Sequence, residues 1–424
     1  MHDEELIREF RTNETAFTRT RKLPFPRMVA LLVSGWKMSI PNRLNHLFQR
    51  LGQLKQRPSA AAFCRARRKI RPELFERLNR EMVACLYEDS AEFVRRWKGR
   101  LIWAVDGTKL NLPDTAETRA RYTVQTNQHD RDGFVQGMAS VLYDVLNEVV
   151  IHPALDRSRS EKSFVLREHS RYFRPEAIVL YDRLYCDYAV IAFHCARGED
   201  FVIRAPSSQT FKEVTAFFGS PKDDRIVELN VTAKQQPWVK ELGLPRRVTV
   251  RLVKVVLPGG AVEVLITSLR DRETYPSEEF QGLYEKRWGI ETYFDRLKNL
   301  LEVERFSAKA VIGIEQDFYG LVFLSTLTSV LLREDEEEAE HQSRIKGLKY
   351  TYRLNKSVSY LAVVDHVVEL ILDLRKSPEQ AEEEIRLCLK GTLLPVRPGR
   401  KPKRTSRKSS RQLRFQRYGK RIWA

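Results

Sequence analysis

Three acidic residues stand where their surroundings could give them chemical work. Asp106 closes the apolar run Leu101-Ile102-Trp103-Ala104-Val105, and Asp182 closes another, Ile178-Val179-Leu180-Tyr181. A strand that is apolar throughout is buried on both faces, so an acid at its end sits at the sheet rim, where ligands bind. Singly, neither acid is distinctive, because Asp-Gly is a common turn and Asp182-Arg183 a common surface pair. The third acid, Glu291, lies in a segment of helical period. At about 100° per residue, Leu283, Ile290, Phe294, Leu297 and Leu301 form one apolar stripe suited to packing on a sheet. Tyr284, Arg287, Glu291 and Lys298 form a polar stripe beside it, with Trp288 about 40° round the helix from Tyr284. A salt-bridged helix surface would suffice for Arg287 and Glu291. Three convergent carboxylates have a further use, since they can hold two divalent cations about 4 Å apart and so activate the attacking oxygen and stabilise the leaving oxygen of a phosphodiester. Oxygen ligands favour Mg²⁺ or Mn²⁺ over zinc, and the eight histidines are scattered without zinc spacing.

The elements that must position these acids are legible in outline. Strand-like runs at 101–105, 136–143, 148–154, 177–181 and 201–204, with helical patterns at 160–172 and 187–197, predict a mixed sheet with helices packed on it, an α/β core. The stretch 205–275 reads as a β-rich insertion without helices, its strands at 225–232, 246–257 and 261–269. Helix resumes at Pro276-Ser277-Glu278-Glu279 and continues to about Glu302, followed by an apolar helix from Gln316 to Leu332. The acidic run Glu334 to Glu340 reads as an exposed loop, with helices again within 361–390. The expected division is a helical region at 1–98, an α/β core at 99–204 completed by 276–332, the insertion at 205–275, a C-terminal helical region at 333–395 and a basic, disordered tail at 396–424.

Charge names a class of partner. The net charge is +18, and it is concentrated at the ends. Residues 11–80 hold 17 Lys/Arg against 3 Asp/Glu, and residues 397–424 hold 12 Lys/Arg and no acid. Such ends suit a polyanion, because each phosphate neutralised releases condensed counterions. The segment Ala60 to Lys69 carries Arg65, Arg67, Arg68 and Lys69 on an alanine-slimmed helix that could enter a DNA groove, or could be a solvated basic face. The most apolar run, 318–332, is short of the roughly 20 residues that span a bilayer. The N-terminus lacks the order of a signal peptide, and the five cysteines show no C-x-x-C spacing. Buried, reduced thiols, no membrane and a cytoplasmic address are the expectations.

Asp106-Gly107-Thr108, Asp182-Arg183-x-Tyr185 and Tyr284-x2-Arg287-x3-Glu291-x6-Lys298 together resemble the signature of bacterial insertion-sequence transposases of family four, the cut-and-paste D-D-E group. The resemblance covers about Leu101 to Leu332 and departs at Leu184, where that family commonly has Gly. It implies a ribonuclease H-like core interrupted by the β-rich insertion, and a homodimer acting on double-stranded DNA, both terminal inverted repeats and target. It also implies two Mg²⁺ or Mn²⁺ ions held by Asp106, Asp182 and Glu291, and a DNA hairpin supported by Tyr284, Arg287 and Lys298, with Trp288 a further stacking candidate. A non-catalytic DNA-binding protein or repressor derived from a transposase, or a repair nuclease of the same fold, is the alternative.

Overall fold

The computed structural model describes residues 3–19, 21–34, 38–127, 130–208, 210–257, 260–372 and 377–397. The chain divides into two units, Asn79–Leu297, and Met1–Leu78 together with Lys298–Ala424.

The unit Asn79–Leu297 is built on one sheet. Its strands are β1 (Leu101–Asn111), β2 (Thr123–Asn127), β3 (Asp130–Asp144), β4 (Val149–Arg157), β5 (Ala177–Tyr181), β6 (Asp200–Arg204), β7 (Asp224–Asn230), β8 (Arg247–Val256) and β9 (Val262–Thr267). They lie in the order β2-β3-β1-β5-β6-β9-β8-β7, and β4 also pairs with β3. β3 is antiparallel to β1, whereas β5 is parallel to β1 and β6 parallel to β5. The helices Glu161–Arg167 and Tyr188–Arg197 lie in the crossovers that parallel pairing requires. All five residues of β5 are buried, as its unbroken apolar sequence demands.

Several expectations need correction. Asp106-Gly107 is not a turn, since β1 runs on to Asn111, carried by pairing with β3 from Gly107↔Ser140 to Asn111↔Gln136. The rim at Asp106 exists because β5 stops at Tyr181 while β1 continues. Residues 205–275 do supply β7, β8 and β9, but they also hold the short helices Lys212–Phe218 and Gln236–Glu241. The first buries just Val214 and Phe217, an i, i+3 pair too brief to register as a period. These strands extend the core sheet through antiparallel β6–β9 pairing.

The second unit is helical over most of its described length. Phe25–Val33 is buried at eight of its nine positions, and Val311–Leu331 and Lys356–Leu372 also carry buried faces. The acidic run is not a loop but the helix Arg333–Ile345. Glu334, Asp335 and Glu336 occupy its first turn, where the helix dipole favours them, and Arg333 pairs with Glu337 at 3.5 Å. Cys64 and Cys388 are exposed rather than buried. Among the described residues no helix is long and apolar enough to cross a membrane. The basic tail lies outside the described residues beyond Arg397.

The core beneath the sheet holds three neutral imidazoles. Ser140 Oγ lies 2.9 Å from His169 Nε2, His169 Nδ1 lies 2.9 Å from His152 Nδ1, and Tyr181 Oη lies 2.8 Å from His194 Nε2. Burial lowers His152 and His194 to about 3 and His169 well below its ordinary value. The unfolded chain binds these protons near pH 6.5 and the folded chain does not, so their neutral burial costs nothing above that pH and destabilises progressively below it. The melting temperature should therefore fall as pH drops from 6.5 towards 3, and His194→Gln should flatten the decline, checked by thermal melts at stepped pH.

Candidate active site

Backbone register sets the first two acids. In the parallel pairing of β1 and β5, Leu101 matches Ala177 and Ala104 matches Leu180. Two further residues along each chain bring Asp106 level with Asp182. Among the described residues each accepts one hydrogen bond, from a near neighbour in the chain: the Gly107 N–H to Asp106 Oδ1 at 2.8 Å, and the Leu184 N–H to Asp182 Oδ1 at 2.7 Å. Leu184 makes that bond with its side chain 60% exposed, so the turn accepts the residue in place of Gly.

A buried acid elsewhere in the unit shows what full satisfaction looks like. Asp144 accepts from the Tyr87 hydroxyl at 2.7 Å, from the Leu146 and Asn147 N–H groups at 3.0 and 2.9 Å, and from Asn147 Nδ2 at 2.8 Å. Such bonding makes it structural. Asp106 has no comparable shell. Burial first, and then the negative charges of Asp182 and Glu161, push its carboxyl up to about 7, while the Gly107 N–H and Arg287 oppose the rise. Glu161, in the first turn of Glu161–Arg167, is itself raised by burial and by Asp182. Sequence reading missed Glu161, because an acid at a helix start after Ser160 reads as a favourable end effect. Nothing in the spacing brings it to β1.

Glu291 arrives by a separate route. The expected helix after Pro276 is broken into Phe280–Glu285 and Trp288–Asp295, and a π turn, Arg296–Leu300, follows. Leu283, Ile290, Phe294, Leu297 and Leu301 are buried, as the apolar stripe predicts. Gly289 lets the helix approach the sheet, since a Cβ there would stand 3.1 Å from Val145 Cβ. Tyr293 stacks on Tyr143 of β3 at 4.7 Å, a contact worth on the order of 1 kcal/mol beyond its area. Lys298 lies within the π turn, where rotation per residue is smaller, so it departs from the ideal helical row.

The polar stripe is more buried than expected. The Tyr284 ring is buried, and its hydroxyl donates to the Tyr181 carbonyl at 3.1 Å, one residue before Asp182. It braces the end of β5 and offers no face to a DNA base. Arg287 is also buried, and its Nη2 donates to Glu291 Oε1 at 2.7 Å. Its guanidinium lies 5.6 Å from the Tyr284 ring centre and 5.1 Å from that of Trp288, and its charge acts on Asp106 as well. Trp288 is the exposed aromatic of the group, at 55%.

Asp106, Asp182 and Glu161 thus gather at one rim, with Glu291 joined through Arg287. Among the described residues Asp106, Asp182 and Glu291 do not offer three ligand oxygens within 4.8 Å of one another. His366, Glu369 and Glu384, in the other unit, do so, but Arg50 already holds Glu369 at 2.5 Å, as an ion-pair network would. The donors at the rim are oxygens throughout, which suits a hard divalent cation, and the crowded negative charge is what such an ion would neutralise.

Known proteins resemble this chain in sequence and in fold. The profile of the transposase DDE domain matches residues 97–327. The transposase InsG for insertion sequence element IS4 of Escherichia coli (strain K12) is 24% identical over 335 residues, which cover 77% of this chain and 74% of that protein. A cryo-EM structure of the piggyBac transposase synaptic complex with hairpin DNA aligns with a TM-score of 0.44 at 11% identity, over 97% of this chain and 86% of that one.

The basic residues expected to meet DNA separate into two kinds. Ser59 caps the helix Ala60–Arg67 by accepting from the Ala62 N–H at 3.2 Å, and Arg65 and Arg68 are exposed, with Lys69 half-buried. Arg67 is buried, contrary to expectation. It bonds Gln316 Oε1 at 2.9 Å, Ser307 Oγ at 2.8 Å, the Gly313 carbonyl at 3.0 Å and Asp317 Oδ1 at 3.0 Å. Four of its five N–H donors are engaged within the protein, so it does not reach a duplex. Arg67→Ala should lower stability by about 3 kcal/mol or more, by leaving the half-buried Asp317 with its Ser307 hydrogen bonds but without its counter-charge. Arg65→Ala and Arg68→Ala should leave stability within about 0.5 kcal/mol, and denaturant titration of the three variants checks the contrast.

Proposed function

The chain belongs to the transposase DDE domain family, in the family-four insertion-sequence group, and on that premise we propose that it binds the inverted repeats at its element's ends and cuts and rejoins DNA there. DNA transposition, with the nuclease and strand-transfer chemistry that this domain implies, is the family's activity. The observation that carries the finer reading is the register that sets Asp106 level with Asp182 beside the Arg287–Glu291 pair. The order β4-β3-β1-β5-β6, with β3 antiparallel and β5 parallel to β1, supports a ribonuclease H-like core. The domain limits read from the sequence are retained as part of the proposal.

Asp106, Asp182 and Glu291 would hold Mg²⁺ or Mn²⁺, two ions in the full site. When bound, such a cation activates the attacking oxygen and neutralises charge on the leaving oxygen of a phosphodiester. Asp106 and Asp182 act as charged ligands, and Glu291 joins them by giving up its bond to Arg287. Arg287, released, is placed to grip a phosphate beside the cut. Lys298 serves the same strand. Trp288 takes the stacking role first expected of Tyr284, because its ring is exposed and an aromatic face lowers the cost of a base leaving the duplex. Arg65, Arg68 and Lys69 contact the inverted repeat, and the basic tail binds phosphates without reading sequence. A homodimer pairs the two ends, and the protein works in the cytoplasm at the nucleoid.

One experiment tests these roles together, with an end-labelled inverted-repeat duplex and Mg²⁺ or Mn²⁺. The parent protein should nick the end and give a hairpin near double length on denaturing gels. Asp182→Asn should bind the duplex normally while nicking falls by orders of magnitude, and Trp288→Ala should nick but accumulate ends without hairpins. Near-normal cleavage by Asp182→Asn would remove that residue from the site, and release of the element without any hairpin would overturn the hairpin route.

A further inference from the structure

Leu184 is notable for where it is exposed. Isolated apolar side chains on a surface are ordinary, so exposure alone carries little weight. Among the described residues of the unit Asn79–Leu297, the exposed large apolar side chains are Leu184 at 60%, Val256 at 58%, Trp288 at 55%, Val262 at 45% and Ile226 at 44%. Ile226, Val256 and Val262 lie on β7, β8 and β9, away from β1 and β5 in the sheet order. The other two belong to the rim that carries Asp106 and Asp182. The Tyr284 hydroxyl meets the Tyr181 carbonyl three residues before Leu184, and Trp288 follows Tyr284 by about one helical turn. Exposed hydrocarbon is thus confined to the outer strands and to the proposed site of cleavage.

The local backbone explains how Leu184 is held outward. Arg183–Tyr185 is a single 3-10 turn, opened by Asp182, whose Oδ1 accepts from the Leu184 N–H at 2.7 Å and whose carbonyl accepts from the Tyr185 N–H at 3.2 Å. Tyr185 is fully buried, with its ring centre 5.3 Å from that of Tyr181. Successive residues of such a turn point about 120° apart, so the inward Tyr185 leaves Arg183 and Leu184 facing out, and both are exposed. The bond to Asp182 comes from the backbone and needs no particular side chain. The leucine therefore adds an apolar surface and nothing to the turn, at a point no more than about 7 Å along the chain from Asp182.

A phosphodiester placed at Asp106 and Asp182 brings its flanking nucleotides to this turn. Arg183 suits their phosphates, but a hydrocarbon side chain gains nothing from phosphate. In a stacked duplex the base faces are covered by their neighbours, and an apolar side chain gains most where a step is opened, as leucine wedges do. We propose that Leu184 packs on the face of a base unstacked at the cleavage step, with Trp288 as the second apolar surface of the same rim. The proposal rests on the reading that the cut phosphodiester lies at Asp182. Leu184 is on this view a positioning residue, which favours the distorted end and leaves the chemistry to the acids.

The test uses the full chain, Mg²⁺ and an inverted-repeat duplex carrying 2-aminopurine beside the cut, so that unstacking is read as fluorescence and nicking on denaturing gels. Leu184→Ser removes the apolar surface and keeps the backbone bond to Asp182. It should lose most of the fluorescence rise and nick about tenfold more slowly, since contacts to a single base face are of that size. A mismatch at the same step lowers the cost of unstacking, and should return its nicking to within about threefold of the parent. Leu184→Met should behave as the parent, and the melting temperatures of both variants should match it, as expected for an exposed side chain. Parent-like nicking of the paired duplex by Leu184→Ser would overturn the proposal. So would a defect that the mismatch does not relieve, because Leu184 would then act through Asp182 and not on a base. If the parent itself nicks no end while binding it, the reading of Asp182 fails, and this proposal with it.

Discussion

The parallel pairing of β1 with β5 is the constraint from which the site follows. It sets two carboxylates side by side at the one place where β5 ends and β1 goes on. Like charges brought together in a half-buried rim are unfavourable unless a cation neutralises them or one takes up a proton. Burial first, and then the charges of Asp182 and Glu161, push Asp106 to about 7 within the protein alone. Everything around the pair holds the conflict in place. β5 is buried throughout, the Tyr181 hydroxyl is anchored on His194, and the Tyr181 carbonyl receives the Tyr284 hydroxyl from the Glu291 helix. The strand end that carries Asp182 is thus fixed from both directions.

Arg287 is the internal counter-charge to this arrangement. Buried between two aromatic rings, it is bonded to Glu291 and also acts on Asp106. A buried guanidinium must be paired, and here the pairing partners are the groups that a cation and a phosphate would compete for. In the proposed function the Arg287–Glu291 bond is the resting arrangement of the third acid. It also explains why three ligand oxygens do not yet converge among these residues. On that reading, loading the site would exchange one set of opposite-charge contacts for another.

Much of this was legible from residue patterns, for identifiable reasons. Uniformly apolar runs locate β1 and β5, because strands buried on both faces cannot carry polar residues, and the stripe Leu283 to Leu301 marks the buried face of the Glu291 segment. What escaped the sequence depends on partners distant in the chain. Asp106-Gly107 looked like a turn because the pairing with Ser140 that extends β1 lies more than thirty residues away. Glu161 gave no local signal, since its place over Gly107 is set by the crossover between β4 and β5. Arg67 shared its composition with Arg65 and Arg68, yet Asp317 and Gln316 claim it from far along the chain. Tyr284 was placed on the correct helix, but depth of burial, which periodicity does not give, turned it from a stacking surface into a brace. The acidic run at Glu334 misled because charge density was read as solvation when it was helix-start chemistry.

The central claim is that Asp106 and Asp182 together hold a divalent cation. Crystals grown with an inverted-repeat duplex and Mn²⁺ test it most directly, through anomalous scattering at the manganese edge. An anomalous peak is expected between the two side chains, with carboxylate oxygens of both at about 2.0 to 2.2 Å. Full Mn²⁺ occupancy elsewhere in the protein with no peak at that rim, or a peak held by Asp182 while Asp106 turns away, would contradict it.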